Sequence, residues 1–167
     1  MEHDIRIIVC IARNNAIGKD NGLLYHLRDD LKRFKALTTG HTVLMGRRTF
    51  ESLPKGALPD RRNIVLTKQN IQWPRTETYA SLQEALEHCG PDEEIFIIGG
   101  SSVYREALPL ARILYLTEVD DIPESADTFF PSIDMSQWKE TEREHRHSDE
   151  QNEKSFSFVV LERKDSE

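Results

Sequence analysis

The chain has 167 residues, with 29 acidic and 22 basic side chains and a formal net charge of −7. That length suits a single domain, and an acidic chain without a basic stripe argues against general nucleic-acid binding, which depends on phosphate contacts. The two cysteines, Cys10 and Cys89, match no zinc or redox spacing, and no apolar stretch of the sequence is long enough for a membrane span.

The first half of the chain alternates strand and helix patterns. Apolar, β-branched runs predict buried strands at 5–12, 41–46 and 63–67. The Asn- and Gly-rich stretch 13–22 predicts a loop. Helical spacing predicts a helix over 27–38, and a shorter helix over 47–53 ends before Pro54. The first strand is interrupted by Arg6, which is not typical of a signal peptide, so a cytoplasmic protein is expected.

The second half continues the alternation and then changes to paired strands. Ser81 and Glu84 fit a capping box, and Gly90 lies where a C-terminal glycine is usual, so a helix is predicted over 81–90. Strands at 94–100 and 112–119 flank a helix at 101–111. The runs 138–147 and 155–163 predict an antiparallel hairpin.

This pattern predicts an α/β fold. We expect a mostly parallel central sheet of about eight strands, with helices on both faces and a C-terminal antiparallel hairpin. Ligands of such sheets bind beyond the carboxyl ends of the strands. The loops at 13–24, 46–50 and 99–102 all follow strands, so they are expected along one crevice.

Two adjacent aspartates begin the helix predicted over 27–38. Steps of about 100° per residue place Asp29 on the polar side, where Arg33 four residues later offers a surface ion pair. Asp30 falls within the apolar arc of the helix. A first-turn acid is favoured by the helix dipole, but a carboxylate on an apolar face is costly unless it is paired. A flat heterocycle with adjacent N–H donors would supply that pairing. The arc consists of Leu27, Leu31, Phe34 and Leu37.

Two strand-to-helix junctions have the chemistry of phosphate sites. The stretch IIGGSS brings two glycines to a helix start, and MGRRTF brings two arginines to another. A tight turn or solvated arginines would explain each junction alone, whereas both together suggest a dinucleotide with an extra phosphate. Arg61 or Arg62 has the fork geometry for a carboxylate, with ordinary surface charge as the alternative. His145 and His147 lack a third ligand, so no metal site is expected.

A series of short motifs matches one known family, in its order and at its spacing. The sequence resembles bacterial-type dihydrofolate reductases over essentially its whole length. The resemblance implies a single domain over 1–167, with an adenosine-binding subdomain at roughly 41–110 and a loop subdomain formed by 1–40 and 111–167. The motifs are IARNNAIGKDNGLLYHL, DDLKRFK, VLMGRRTFESL, LPDRRNIVLT, FIIGGSSVY, LYLTEV, DTFFP and FVVLER.

The implied activity is NADPH-dependent reduction of 7,8-dihydrofolate to 5,6,7,8-tetrahydrofolate. Hydride would pass to C6 and a proton to N5, and the product would support one-carbon metabolism and the synthesis of thymidylate, purines and amino acids. The implied partners are dihydrofolate and antifolate inhibitors. A cytoplasmic monomer that binds neither nucleic acid nor membrane is expected.

On the substrate side, the resemblance implies that Asp30 holds the pterin by N3 and the 2-amino group, joined by the Thr117 hydroxyl. Tyr25 and Leu23 are expected beside Asp30 among the catalytic residues. Arg61 would clamp the α-carboxylate of the glutamate tail. The remaining residues expected at the substrate are Ile8, Cys10, Leu31, Phe34, Leu53, Leu58, Ile98 and Tyr104, with the Ile8 and Ile98 carbonyls accepting from the amino group of an inhibitor.

On the cofactor side, the resemblance implies contacts to the phosphates, the adenosine and the nicotinamide of NADPH, with residues 17–24 as a mobile lid. Arg47, Arg48 and Thr49 would bind the pyrophosphate and the 2′-phosphate. The glycine turn and the following helix would cradle the pyrophosphate. The other expected cofactor contacts are Ile17 and Gly18 at the nicotinamide, Thr67, Lys68 and Gln69 beside the adenosine, and Gly46, Gly99, Gly100, Ser101, Ser102 and Val103 around the cradle.

The sequence departs from the family pattern in two places. Leu24 and Tyr25 replace the usual Pro-Trp pair, and a phenol cannot reproduce an indole N–H. Ser101 and Ser102 replace a glycine and a basic residue, so preference for NADPH depends on Arg47, with Lys68 as a possible helper. The reductase of riboflavin synthesis and a non-catalytic nucleotide-binding relative are the alternatives, and neither explains Asp30 beside Phe34.

Overall fold

A computed structural model describes residues 3–19 and 22–164 of the chain, with the side chains of residues 22 and 23 outside that description. The helices are α1 Arg28–Thr38, α2 Arg47–Glu51, α3 Leu82–Glu87 and α4 Ser101–Ala107, and a 3-10 turn at Leu108–Leu110 follows α4. The strands are β1 Asp4–Ile11, β2 Ala16–Lys19, β3 Gly22–Leu23, β4 Thr42–Gly46, β5 Arg62–Leu66, β6 Glu77–Tyr79, β7 Glu94–Ile97, β8 Ile113–Val119, β9 Thr128–Phe129, β10 Trp138–Arg146 and β11 Phe156–Arg163.

The central sheet has eight strands in the order β10-β11-β8-β1-β7-β4-β5-β6. Strands β8, β1, β7, β4, β5 and β6 pair in parallel. The hairpin of β10 and β11 adds to β8 in antiparallel orientation. The predicted α/β fold and its C-terminal hairpin are therefore confirmed, and the carboxyl ends of β1, β4, β7 and β8 share one edge.

Alternation along the strands divides the core between the two faces of the sheet. One face packs against α1 and α2, through a cluster that includes Ile8, Met45 and Phe96. The other face packs against α3 and α4, through a larger cluster that includes Ile7 and Leu44. Neighbouring residues of β1 thus bury on opposite sides, and helices cover both faces as the sequence predicts.

Several local predictions need correction. The stretch predicted as a loop at 13–22 contains β2 and part of β3, which form a second sheet with β9. Local sequence does not show this sheet, because β9, which pairs with β2, lies more than 100 residues further along the chain. The helix predicted to Gly90 ends at Glu87, since the Gly90 N–H donates to Glu93 Oε1 (3.1 Å) instead of closing a left-handed cap. The helix predicted over 101–111 continues beyond Ala107 only as a 3-10 turn.

In the described part of the chain, every helix is too short or too polar to span a bilayer; α1, the longest, has 11 residues.

Candidate active site

The Asp30 carboxylate lies in the first turn of α1 and faces the sheet. Thr117, a residue of β8 that is only 1% exposed, donates its hydroxyl proton to Asp30 Oδ1. Burial raises the pKa of the Asp30 carboxyl, and the hydrogen bond from Thr117 and the charge of Arg33 oppose that rise. The sequence prediction that Asp30 sits within the apolar arc of the helix agrees with this placement, and Thr117 joins it directly.

Arg33 does not form the surface pair expected with Asp29. Its guanidinium turns toward the sheet, where Nη1 donates to the Leu116 carbonyl oxygen at 3.2 Å. Asp29 instead accepts from Arg146 Nη1 at 2.8 Å. The prediction was wrong because helix spacing alone does not reveal that the β10–β11 hairpin brings Arg146 to the outer side of α1.

An apolar wall lies next to the carboxylate. Ile8 on β1 belongs to a cluster on the α1 face of the sheet. The partly buried members of this cluster come from α1, from the segments after α2, β5 and β7, and from β8. Leu31 does not join this wall, because 53% of its surface is exposed. The predicted substrate residues that share the cluster are Ile8, Phe34, Leu53, Leu58 and Ile98.

Tyr25 and Cys10 pack together, but the Tyr25 hydroxyl is directed elsewhere. Both residues contact a small cluster that includes Leu27 and Phe156. The Tyr25 hydroxyl donates to Asp121 Oδ2 at 2.8 Å, in the segment after β8. Burial and this bond raise the pKa of Tyr25, and burial raises the pKa of the Cys10 thiol. The ring of Tyr25 therefore contributes surface, while its donor is used by Asp121.

Tyr104 connects α4 to the strand beside the pocket. Its buried hydroxyl donates to the Ile8 carbonyl oxygen at 3.0 Å, and its ring packs against Phe130 with centroids 5.1 Å apart. Burial raises its pKa, so the hydroxyl stays protonated. The carbonyl that the resemblance assigns to an inhibitor amino group is thus also within reach of a fixed donor.

The glycine turn lies against the start of α2. The Gly46 N–H donates to the Gly99 carbonyl oxygen at 2.9 Å, and the peptide bond between Gly99 and Gly100 is cis. Gly99 has φ +137°, and a Cβ there would lie 3.0 Å from Thr49 Oγ1. Only glycine permits this close approach. The two junctions that the sequence singled out therefore meet, as expected, and Gly100 precedes Ser101, Ser102 and the buried Val103 of α4.

The arginines of α2 differ in their surroundings. Arg47 Nε donates to Glu51 at 2.9 Å, and Arg47 Nη1 donates to Gln69. Arg48 is exposed. Thr67 Oγ1 accepts from the Gln69 N–H at 3.2 Å, and Lys68 beside it is exposed. The predicted phosphate and adenosine residues thus form one connected, partly exposed edge.

The neighbouring arginines Arg61 and Arg62 have separate roles. Arg61 donates to the Pro59 carbonyl oxygen and to Thr38 Oγ1, at 2.8 and 3.0 Å, and remains half-buried at the end of α1. Arg62 donates to Glu77 at 2.7 Å and to Glu93 at 2.8 Å. Arg62 therefore joins β5, β6 and the loop before β7, whereas the hydrogen bonds of Arg61 go to uncharged oxygens.

The predicted lid, residues 17–24, is described in part. Ile17 packs against the larger core cluster, and Gly18 pairs with Leu23 and Thr128. The Gly18 carbonyl oxygen accepts from the Asp127 N–H at 3.1 Å. The Leu23 side chain and residues 20 and 21 lie outside the described residues.

His145 and His147 contact each other edge to face, with ring centroids 4.8 Å apart. Among the described residues, no three potential metal-ligating side chains come together.

The sequence did not identify Arg33 or Asp121 as neighbours of the site. The spacing of Arg33, three residues after Asp30, was an available signal. Its orientation depends on β8 and β11, and no local pattern shows it. Asp121 lies about 100 residues from Tyr25, so only the fold brings the two together.

The fold and crevice are those of an α/β protein that binds its ligands at the carboxyl ends of parallel strands. The family model for dihydrofolate reductase matches residues 4–163. The dihydrofolate reductase of Neisseria meningitidis serogroup A is 44% identical over 156 residues, which cover 93% of this chain and 95% of the relative. That of Bacillus subtilis is 39% identical over 163 residues, which cover 97% and 96%.

A solved structure gives the same result. Dihydrofolate reductase from Enterococcus faecalis, complexed with NADP(H) and RAB-propyl, aligns with a TM-score of 0.88 and 34% identity, covering 97% of each chain. The chain belongs to the dihydrofolate reductase family.

Proposed function

We propose that this protein reduces 7,8-dihydrofolate to 5,6,7,8-tetrahydrofolate with NADPH, through the residues described above. The observation that carries the site assignment is Asp30, a carboxylate bonded by Thr117 and set beside an apolar wall. A carboxylate in such a place needs a cationic or donor-rich partner. A pterin, with N3–H and a 2-amino group on one edge, supplies both donors.

Asp30 binds and orients the heterocycle, and its negative charge favours the protonated ring. Phe34, Leu53 and Leu58 pack against the flat ring and the aminobenzoyl group, and they exclude water from the carboxylate. Because Asp30 holds the edge of the ring away from N5, a water molecule delivers the proton there. Precise alignment of two flat rings can remove many kcal/mol from the barrier.

The residues at the glycine turn fit a dinucleotide. The backbone at Gly99 leaves no room for a Cβ beside Thr49, which suits close approach of a pyrophosphate. Arg47 is held by Glu51 and Gln69 at the same edge and offers its charge to the 2′-phosphate. When bound, NADPH supplies the hydride. Lys68 and Thr67 flank the adenosine, and Ile17 and Gly18 border the nicotinamide.

Arg61 clamps the α-carboxylate of the glutamate tail, and its bonds to Thr38 and Pro59 fix the guanidinium at the end of α1. Residues 17–24 close over the bound rings, and their contact with the segment around Asp127 supports this role. We assign residues roughly 41–110 to an adenosine-binding subdomain and 1–40 with 111–167 to a loop subdomain. A cytoplasmic monomer fits the acidic composition.

The test follows NADPH oxidation with dihydrofolate in the wild-type protein and in Asp30→Asn, with NADPH binding measured separately by fluorescence titration. We expect turnover in the wild type and a loss of about 10²–10⁴-fold in the variant, in the range for removing a key acid–base or electrostatic group, with unchanged NADPH affinity. Wild-type levels of turnover in Asp30→Asn would show that the carboxylate is not the substrate anchor.

A further inference from the structure

Arg33 follows Asp30 on α1, and both side chains reach the same strand, β8. Its guanidinium donates to the Leu116 carbonyl oxygen at 3.2 Å, and the next residue of β8, Thr117, donates to Asp30. Cation and carboxylate are thus anchored to adjacent residues of one strand, and they are three residues apart on α1. The charge of Arg33 therefore acts on the Asp30 carboxyl.

Aromatic rings hold the guanidinium in this position. The Cζ atom of Arg33 lies 4.5 Å from the centroid of Phe158 on β11 and 5.6 Å from that of Tyr115 on β8. Stacking of this kind replaces part of the hydration that the cation loses. The half-buried charge is therefore less screened than an exposed lysine would be.

Titratable side chains from several elements surround Asp30 and Arg33. Asp30 faces Arg33 on α1, Cys10 on β1 and Tyr104 on α4. Arg33 faces Asp30, Tyr115 on β8, and Glu142 and Glu144 on β10. It shares the ring of Phe158 with a second cation, Arg146 on β10, whose Cζ atom lies 5.2 Å from the ring centroid.

Arg146 is paired with Asp29 and Glu144, so Arg33 is the cation that acts on the Asp30 carboxylate. Cys10 and Tyr104 are neutral near pH 7, because burial raises the pKa of both. The two glutamates of β10 favour the cationic form of Arg33.

We propose that Arg33 is a positioning residue that acts through Asp30: its charge opposes the effect of burial on the carboxylate and so sets the pH range in which the site binds and reduces a pterin. This inference rests on the proposed function only for the catalytic part. The positive charge of Arg33 disfavours protonation both of Asp30 and of the bound pterin. Its removal should therefore move both titrations to higher pH.

Three variants separate charge from structure. Arg33→Gln removes the charge and keeps a donor for the Leu116 carbonyl, whereas Arg33→Lys keeps the charge. Lys32→Gln removes the same charge one residue earlier, from an exposed side chain. Near-UV circular dichroism and thermal unfolding are used to check that each variant is folded.

The first readout needs no substrate. The Asp30 carboxyl is titrated by ¹³C NMR in the free protein, with Asp30→Asn used to assign its resonance. We expect its midpoint to rise by roughly 0.5–1 pH unit in Arg33→Gln, at or below the lower limit for a directly adjacent charge, and to stay near the wild-type value in Arg33→Lys and Lys32→Gln. Equal midpoints in the wild type and Arg33→Gln would overturn the proposal.

The second readout is the pH dependence of single-turnover NADPH oxidation with dihydrofolate. We expect the alkaline limb to move to higher pH in Arg33→Gln alone. If the Asp30 titration shifts in Arg33→Gln but neither the wild type nor any variant turns over dihydrofolate, the proposed function is refuted. The electrostatic effect of Arg33 on Asp30 is then retained. Turnover with an unshifted pH profile in Arg33→Gln would refute the catalytic role of Arg33.

Discussion

At the scale of single residues, the site depends on a carboxyl group whose buried surroundings disfavour its ionised form. Asp30 is ionisable in an environment that disfavours ionisation, and Thr117 and Arg33 only partly compensate. Such a group favours ligand binding but lowers the stability of the ligand-free protein. Tyr25 illustrates the opposite case, because its hydroxyl serves Asp121 and not the carboxylate.

Replacement of Asp30 by Asn should stabilise the free protein at neutral and alkaline pH. The folded-state pKa of Asp30 lies above its unfolded value, because burial outweighs the hydrogen bond and the nearby charge. The stability contributed by the protonated form is present below the unfolded pKa and is lost as pH rises through the folded pKa. The neutral amide of the variant avoids that loss.

Thermal unfolding without ligands, at about pH 8 and about pH 4.5, measures this difference. The advantage of Asp30→Asn should be larger at the higher pH, at about 2–4 °C for each kcal/mol in a chain of this size. Thr117→Ser, which keeps the hydroxyl, is the control for disturbance of the site. A variant that is less stable than the wild type at about pH 8 contradicts this account.

At the scale of secondary-structure elements, the junction of β7 with α4 depends on one backbone conformation. Gly99 adopts φ +137°, packs on Thr49 and receives the Gly46 N–H. Three elements, β4, α2 and α4, therefore meet at a residue without a side chain. The phosphate-binding edge exists only while they stay in contact.

Gly99→Ala should weaken both the fold and NADPH binding. The added Cβ would lie 3.0 Å from Thr49 Oγ1, in a backbone region that L residues rarely adopt, and such strain costs about 1–3 kcal/mol. Urea unfolding and NADPH fluorescence titration measure the two losses. Gly90→Ala is the matched control, because a Cβ there meets no atom within 4 Å. Equal effects of the two substitutions would rule out strain at Gly99 as the cause.

At the scale of the whole molecule, a cluster of charged side chains links β5, β6 and the loop before β7, at the ends of the strands opposite the pterin site. Arg62 on β5 binds Glu77 on β6 and Glu93 before β7, and it donates to the His88 carbonyl oxygen after α3. The hydrogen bond from Arg62 lowers the pKa of Glu77. Burial opposes ionisation of Glu93, but hydrogen bonds from Thr42, Gly90 and Arg62 together lower its pKa.

Arg62→Gln should lower the free energy of unfolding near pH 7 by about 1–2 kcal/mol, less than for a fully buried pair because the glutamates are partly exposed. Carboxylates with lowered folded-state pKa values contribute stability above their unfolded pKa, and this stability is lost as pH falls through the folded pKa. The difference in free energy of unfolding between wild type and variant should therefore become smaller as the pH is lowered to about 3–4.

Urea unfolding followed by tryptophan fluorescence at each pH provides the measurement. Arg105→Gln, on the exposed side of α4, controls for the loss of one positive charge. A stability difference that is constant with pH would show that Arg62 acts by packing and not through its ion pairs.

Local sequence patterns are enough to predict the alternation of strands and helices, the C-terminal hairpin, the placement of Asp30 on an apolar arc and the glycine and arginine junctions. These depend on local periodicity and turn chemistry, which act over a few residues. The family motifs added the assignment of each pocket residue, and Asp30 with Thr117 agrees with it.

The directions of several side chains, in contrast, depend on contacts that form only in the folded chain. Arg33 turned toward Phe158 and away from Asp29, Tyr25 bonded Asp121, Leu31 stayed exposed, and residues 16–19 paired with β9. Each outcome depends on a partner about 90 or more residues away in sequence or on the surface left uncovered by the fold. Helical or strand spacing restricts such a side chain to one side of its element, and contacts from distant segments select the partner.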